Sequence, residues 1–506
     1  NGQVGQAVEL LEHVVKIQST TLAKDHPDRL ACQQALATTY QANGQVGKAI
    51  ELLEHVVEIR LTTLAEDHPD RLGSQQALAM AYQANGQERK AIELLEHVVE
   101  TRLTTLAEDH PDRLGSQHAL AMTYQANGQV RKAIELLEHV VETRLTTLAE
   151  DHPDRLGSQH MLAVAYQANG QVGQAIELLE HVVKTWSTML AEDHPYRLTS
   201  QHMLAVAYRA NGQVGKAVEL LEHVVETRLT TLAEDHPDRL GSQHALAMAY
   251  QANGQVEQAI ELLDHVVKIR STTLAKDHPD RLACQHMLAV AYQANGQVGQ
   301  AIELLEHVVE IRSTTLAEDH PDRLGSQHTL AMAYQANGKV GKAIELLEHV
   351  VEIRSTTLAE DHPDRLASQH MLAVAYRANG QVGKAVELLE HVVEINSTTL
   401  AEDHPDRLGS QHALAMTYQA NGQVGKAVEL LEHVVKIRLT MLAEDHPYLL
   451  GSQQALAMAY EANGQVGKSF ELLEHVVKIR LTMLAEDHPS RIVNRLCRSR
   501  DSGLYT

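Results

Sequence analysis

Thirty-two histidines are the side chains of this 506-residue sequence best suited to chemistry, since imidazole can hold a metal, move a proton or change charge near neutral pH. They occupy only three positions of a 42-residue period. Twelve precede prolines, as His320 precedes Pro321, and twelve share the position of His349. The remaining eight are His118, His160, His202, His244, His286, His328, His370 and His412. Equivalent residues in successive units stand at least one helix-packing distance apart, about 8 to 10 Å. Two imidazoles that far apart cannot share an ion that each must approach to about 2 Å. No metal and no cofactor is therefore expected. Protonation near pH 6 would instead charge several series at once in an acidic chain.

Catalysis fares no better. In Ser326-Gln327-His328 the hydroxyl and imidazole are two residues apart, so a helix points them to different sides, and no nearby acid orients the ring. Asn337-Gly338-Lys339-Val340-Gly341 lacks the spacing and the trailing Lys-Ser/Thr of a phosphate loop, and it follows a helical pattern where such a loop follows a strand. The sequence is read as non-enzymatic.

The elements that position these residues are legible in the unit from Asp319 to Pro363. Asp319-His320-Pro321-Asp322 reads as a helix start, with Asp319 as cap, Pro321 in the first turn and Asp322 at the positive helix end. Leu330, Ala331, Ala333 and Tyr334 mark the inner face of a helix running to about Ala336, where Gly338 can take the left-handed turn that ends it. A second helix from about Val340 to Ala359 buries Ala343, Ile344, Leu347, Val350, Val351 and Leu358. It leaves Glu345, Glu348, Glu352 and Arg354 wet. All twelve prolines stand at the position of Pro321, so proline separates units and interrupts no helix. A fixed period of this length means that each unit buries its apolar face against its neighbours, which gives an all-α fold, an α-solenoid of about twelve antiparallel helix pairs.

Composition agrees. Hydrophobic residues make up 44% of the chain, with one Trp, one Phe and 14 Tyr, so the core must be aliphatic. The formal charge of −23 is spread over every unit, which argues against nucleic acid or an anionic membrane as partner. Cys32, Cys284 and Cys497 are far apart, as in a reducing compartment. No apolar run approaches a membrane span and no signal peptide is visible. The chain opens at Asn1 inside a unit, so a fragment of a longer cytoplasmic protein is expected. The domain organisation reads as one array over residues 1–489 and a divergent cap or tail over 490–506, where Arg495, Arg498 and Arg500 make the end basic.

Leu330-Ala331, Tyr334, Gly338, Ala343, Leu347 and the apolar Val350 together resemble the tetratricopeptide repeat. The 42-residue length, Glu352-Ile353-Arg354 and Asp361-His362-Pro363-Asp364 look specifically like the kinesin light chain type. The resemblance implies a right-handed superhelix whose first helices line a concave groove for a protein or peptide. It also implies either a repeat recognition arm, as in fungal and bacterial receptor-like proteins, or a cargo adaptor. A structural spacer or self-assembling rod is the third reading, and the oligomeric state is left open. The family often carries paired asparagines before the first-helix leucine to hold a peptide backbone; here His328 and Thr329 stand there.

The resemblance places the candidate groove residues at Gly325, His328, Thr329, Met332 and Gln335 and their equivalents. The eight-histidine series runs along this face, with Gln34, Gln76 and Gln454 in its place toward the ends, and Arg209 and Arg377 replace the glutamine at the position of Gln335. Methionine alternates between two positions three apart: Met161, Met203, Met287 and Met371 accompany valine, whereas Met122, Met248 and Met416 accompany alanine. The exchange reads either as compensated packing or as an adaptable groove wall. Trp186 replaces the arginine at the position of Arg354 in a copy that also carries Tyr196 and Thr199. It is read as an exposed anchor or as local repacking.

Overall fold

The computed structural model describes residues Gly2–Met483, and every regular element among them is an α-helix. The residues expected to form the cap or tail, 490–506, lie outside the described residues. After a first helix of 20 residues, helices of 16 and 18 residues alternate, as in Pro321–Ala336 followed by Val340–Thr357. The chain divides into two bodies, Asn1–Gln255 and Val256–Thr506. Within each body every helix packs on its neighbours in sequence, and first helices of successive units also meet. The result is an all-α solenoid of stacked antiparallel helix pairs.

The first helix begins one residue later than the sequence suggests. His320, not Asp319, is the cap: its Nδ1 accepts from the Asp322 N–H at 3.1 Å. Pro321 forces the residue before it into extended backbone, and His320 has φ −63° and ψ 129°. The helix ends where expected, at Ala336. Gly338 takes φ +75°, so that its N–H reaches Gln335 O at 3.0 Å and the Lys339 N–H reaches Tyr334 O at 2.8 Å.

The second helix stops at Thr357, two residues short of the expected Ala359, and Leu358 caps it in extended backbone with φ −117°. Thr356 and Thr357 turn their hydroxyls back onto Ile353 O at 2.8 and 2.9 Å, competing with the helical hydrogen bonds that would carry the helix on. At 18 residues it is about 27 Å long.

Between the helices the core is aliphatic, as composition demands. Ala331, Ala333, Ala343, Leu347 and Val350 are fully buried, and Leu305, Leu389 and Leu431 repeat the position of Leu347 in neighbouring units. The small alanines let helix axes approach, and one leucine per unit fills the space between them. Late in the array Ser469 is buried while Phe470 is 67% exposed, so the one phenylalanine turns outward. Cys284 is buried and accepts from Arg270 Nη1, and among the described residues neither it nor Cys32 is in a disulfide.

Two sets of polar ties fasten units to their neighbours. Tyr334 donates its hydroxyl to Glu306 Oε1 at 2.5 Å, 28 residues back, and Tyr376 does the same to Glu348 at 2.6 Å. Tyr292 meets the shorter Asp264 at 2.9 and 3.1 Å to its two oxygens. The second set corrects the expectation that Arg354 lies on the wet face. Arg354 is only 8% exposed, and its Nη1 donates to Asp364 O in the first turn of the next unit at 2.8 Å. Arg60, Arg102, Arg144, Arg228, Arg270, Arg312 and Arg438 make the same bond ten residues ahead, at 2.8 to 2.9 Å. A guanidinium can be buried there because the backbone carbonyl at a helix start accepts its proton.

Candidate functional site

Each first helix turns Leu330, Ala331 and Tyr334 inward, which leaves Gly325, His328, Thr329, Met332 and Gln335 on its other side. Met332 is 36% exposed, whereas His328, Thr329 and Gln335 are half-buried. Where alanine precedes the methionine, the thioether is exposed at Met80 and Met122 but half-buried at Met248 and Met416. Where valine follows, Met161 and Met371 are half-buried.

The histidine series sits deeper than a row of freely accessible ligands. His160 Nδ1 and His412 Nδ1 each lie 3.4 Å from a serine hydroxyl of the next unit, Ser200 and Ser452, and His286 Nε2 lies 3.4 Å from Thr329 Oγ1. Burial lowers His118, His160, His328 and His370 below the usual imidazole range and brings His202, His286 and His412 to about 4. Neighbouring guanidiniums add to this: Arg144 acts on His118, Arg228 on His202, Arg312 on His286, Arg354 on His328 and Arg438 on His412. At about 4, His202, His286 and His412 stay neutral at pH 6, which corrects for these three the expectation that the series would charge there.

Toward the ends of the array glutamine stands at the histidine position and accepts from the arginine. Gln34 accepts from Arg60 at 2.7 Å, Gln76 from Arg102 at 2.8 Å and Gln454 from Arg480 at 3.0 Å. His244 is half-buried on the same face, and its neighbourhood to His202 contributes to lowering the latter. Arg209 and Arg377 are half-buried near the ends of their helices, and Arg377 acts electrostatically on His370 and His412. Among the described residues no three His, Cys, Asp or Glu side chains converge as a metal site.

Beyond Gln18, which stands at the arginine position in the opening unit, the arginine series is broken twice, and a cavity opens at each break. Trp186 occupies the position in the first body and is 5% exposed, packed on Leu156, Val182 and Leu190. It is not an exposed anchor; Tyr196, with its ring centre 6.0 Å away, is the exposed partner at 64%. The cavity beside them, about 520 Å³, is lined by His118, Arg144, His160, Met161, Trp186 and Tyr196 among others. In the second body Asn396 stands at the arginine position, 4% exposed, with its Nδ2 donating to Ser410 Oγ at 3.1 Å. The cavity there measures about 580 Å³, and His328, Met332, His370 and Met371 line its wall. The structure therefore brings His118 together with His160, and His328 with Met332 and His370. Sequence reasoning flagged Trp186 but missed Asn396. The signal was available, since both interrupt a column that otherwise holds arginine from Arg60 to Arg480.

Stacked helix pairs with a continuous polar and thioether face per body define a repeat scaffold of the protein-interaction class. The chain belongs to the tetratricopeptide repeat family: matches to that repeat cover residues 1–62, 34–104, 70–146, 154–230, 238–314, 322–398 and 406–482. The unit is of the kinesin light chain type. The crystal structure of nearly identical repeats from a Podosopora anserina putative kinesin light chain is 59% identical, over 41% of this chain and 99% of that one, with a TM-score of 0.37. A single-residue variant of those repeats gives 60% identity over 41% and 97% of the two chains, with a TM-score of 0.38. BtubC (BKLC) from P. vanneervenii is 20% identical, over 46% of this chain and 94% of that one, with a TM-score of 0.39. No curated protein matches in sequence. Proteins of this repeat family generally act as non-enzymatic scaffolds that bind proteins or peptides, and among the described residues no helix is long and apolar enough to cross a membrane.

Proposed function

We propose that the array binds an extended segment of a protein partner along the face of its first helices, as the recognition arm of a larger cytoplasmic protein. The observation that carries this reading is the make-up of that face. Exposed thioethers such as Met332 alternate with half-buried imidazoles, and pocket-sized cavities interrupt it. Such a surface offers hydrogen bonds and adaptable apolar contact without a large desolvation cost. The histidines hold and shape this wall next to the arginine ties, and the methionines and cavities make contact.

The test is selection of binders from a random displayed-peptide library. Selected peptides are measured against the parent array and a variant carrying Met80→Glu, Met122→Glu, Met332→Glu and Met458→Glu. All four methionines are exposed, so the fold should tolerate the changes, which circular dichroism checks. Affinity lost tenfold or more in the variant supports the reading. Equal affinity moves recognition to the second helices and favours the spacer reading.

The identity to repeats of a putative kinesin light chain favours a second reading, a cargo adaptor. It requires direct binding to a kinesin heavy chain segment, and absence of that binding with the full-length protein would remove it.

A further inference from the structure

We propose that the cavity at Asn396 is a subsite for the guanidinium of a partner's arginine, which would take the place that this chain's own arginine fills in other units. The inference rests on the reading of the first-helix face as a binding surface. In eight units a guanidinium from the end of the second helix donates to the carbonyl ten residues ahead, at 2.8 to 2.9 Å. At Asn396 the side chain is too short for that reach and spends its amide on Ser410 Oγ. The carbonyl in the corresponding position is that of Asp406. Asp406 lines the resulting cavity together with Asp361 and Asp364, and no Lys or Arg is in the lining.

Three further points favour arginine over other occupants. The cavity is of ligand size at about 580 Å³. Its carboxylates sit in a chain of net charge −23, which attracts a cation. The planar fork of guanidinium suits a carbonyl acceptor better than a compact ammonium does, and of the three aspartates in the lining Asp364 is already met by Arg354. Arg377 reaches this region electrostatically through His370 but does not line the cavity. The break at Trp186 offers no such site, because its indole fills part of the space and Arg144 already lines that cavity.

Met332 and Met371 line the Asn396 cavity, so their methyl groups report on it directly. The full chain, carbon-13 labelled at methionine methyls, is titrated with acetyl-Ala-Arg-Ala amide and with the same peptide carrying neutral, near-isosteric citrulline. The arginine peptide should shift the Met332 and Met371 signals while Met161 stays put, and citrulline should bind at least tenfold more weakly. Asn396→Arg, which restores the residue other units carry and should fold, is expected to abolish the shifts. Asp406→Asn should weaken them several-fold. Equal binding of both peptides, or shifts that survive Asn396→Arg, would overturn the proposal. If library peptides bind the parent and Asn396→Arg leaves all of them unaffected, the subsite fails while the reading of the face stands. If no library peptide binds at all, both fall.

Discussion

Replacing Tyr334 by phenylalanine removes a single hydroxyl from an interface between units and should cost that interface about 1.5 kcal/mol. The ring is 6% exposed and keeps its packing, so no cavity term enters. What disappears is an O–H to carboxylate bond of 2.5 Å. Bonds to charged groups contribute about 1.5 to 3 kcal/mol. The low end applies because the equivalent glutamates Glu390 and Glu432 keep 46% of their side chains exposed, so the orphaned carboxylate can be hydrated. About 1.4 kcal/mol is a factor of ten. In an array whose stability is a sum of unit and interface terms, that factor appears locally. Hydrogen exchange of amides in Pro321–Ala336 should therefore accelerate about tenfold, while distant helices change little. A double-mutant cycle with Glu306→Ala should return most of the loss as coupling. Tyr292→Phe should cost less, since its Asp264 partner is reached at 2.9 to 3.1 Å. Coupling between Tyr334 and Glu306 below about 0.3 kcal/mol, or equal losses at Tyr334 and Tyr292, would refute the reasoning.

The same ties set an alkaline limit. Burial, then the bond to a glutamate, raises tyrosines such as Tyr40, Tyr82, Tyr334 and Tyr376 from 10.0 to about 12. Their contribution is complete below pH 10 and is lost as pH rises toward 12, so thermal melts should be level to about pH 9.5 and then fall. At the acid side the buried histidines act in the opposite sense. With His202, His286 and His412 brought from 6.5 to about 4, their contribution is complete above pH 6.5 and is lost as pH falls toward 4. Changing all three to glutamine, as Gln34 stands naturally, should flatten that slope in pH-dependent denaturation. Gly338→Ala should cost about 1 kcal/mol or more in urea denaturation, because φ +75° strains any residue with a Cβ, although the space around it is open.

Much of the fold could be read from the sequence because its signals are local. Pro321, the inward Leu330 and Tyr334, and Asn337-Gly338 lie within one helix and its turn, and they placed the first helix to within a residue or two of its observed ends. The ties could not be read this way. Arg354 follows Leu347 by seven residues and Val350 by four, so spacing puts it on the buried stripe, and only its charge argued for water. What buries it is a carbonyl ten residues ahead, beyond a turn, and no single-helix pattern reports that. Glu306 and Tyr334 are 28 residues apart and belong to different units. The candidate site was half legible for the same reason: the face was found from helical spacing, whereas the cavities arise where a contact between units is missing. Trp186 was noticed as a large aromatic residue. Asn396 is small and polar, and only the arginine column gives it meaning.

Ties that reach 10 and 28 residues along the chain are both shorter than the 42-residue period. Excising or duplicating one period between equivalent points would thus return every donor to an acceptor of the same kind, whereas a gain of 41 or 43 residues would mismatch those that span the junction. Array length becomes a trait that recombination can change in whole steps without a new solution to folding. Near-identical coding segments are also those that misalign most easily during replication. In such a lineage Trp186 and Asn396, five periods apart, would behave like two marks on a tape, and each crossover between them would reset the number of units that separates the two cavities.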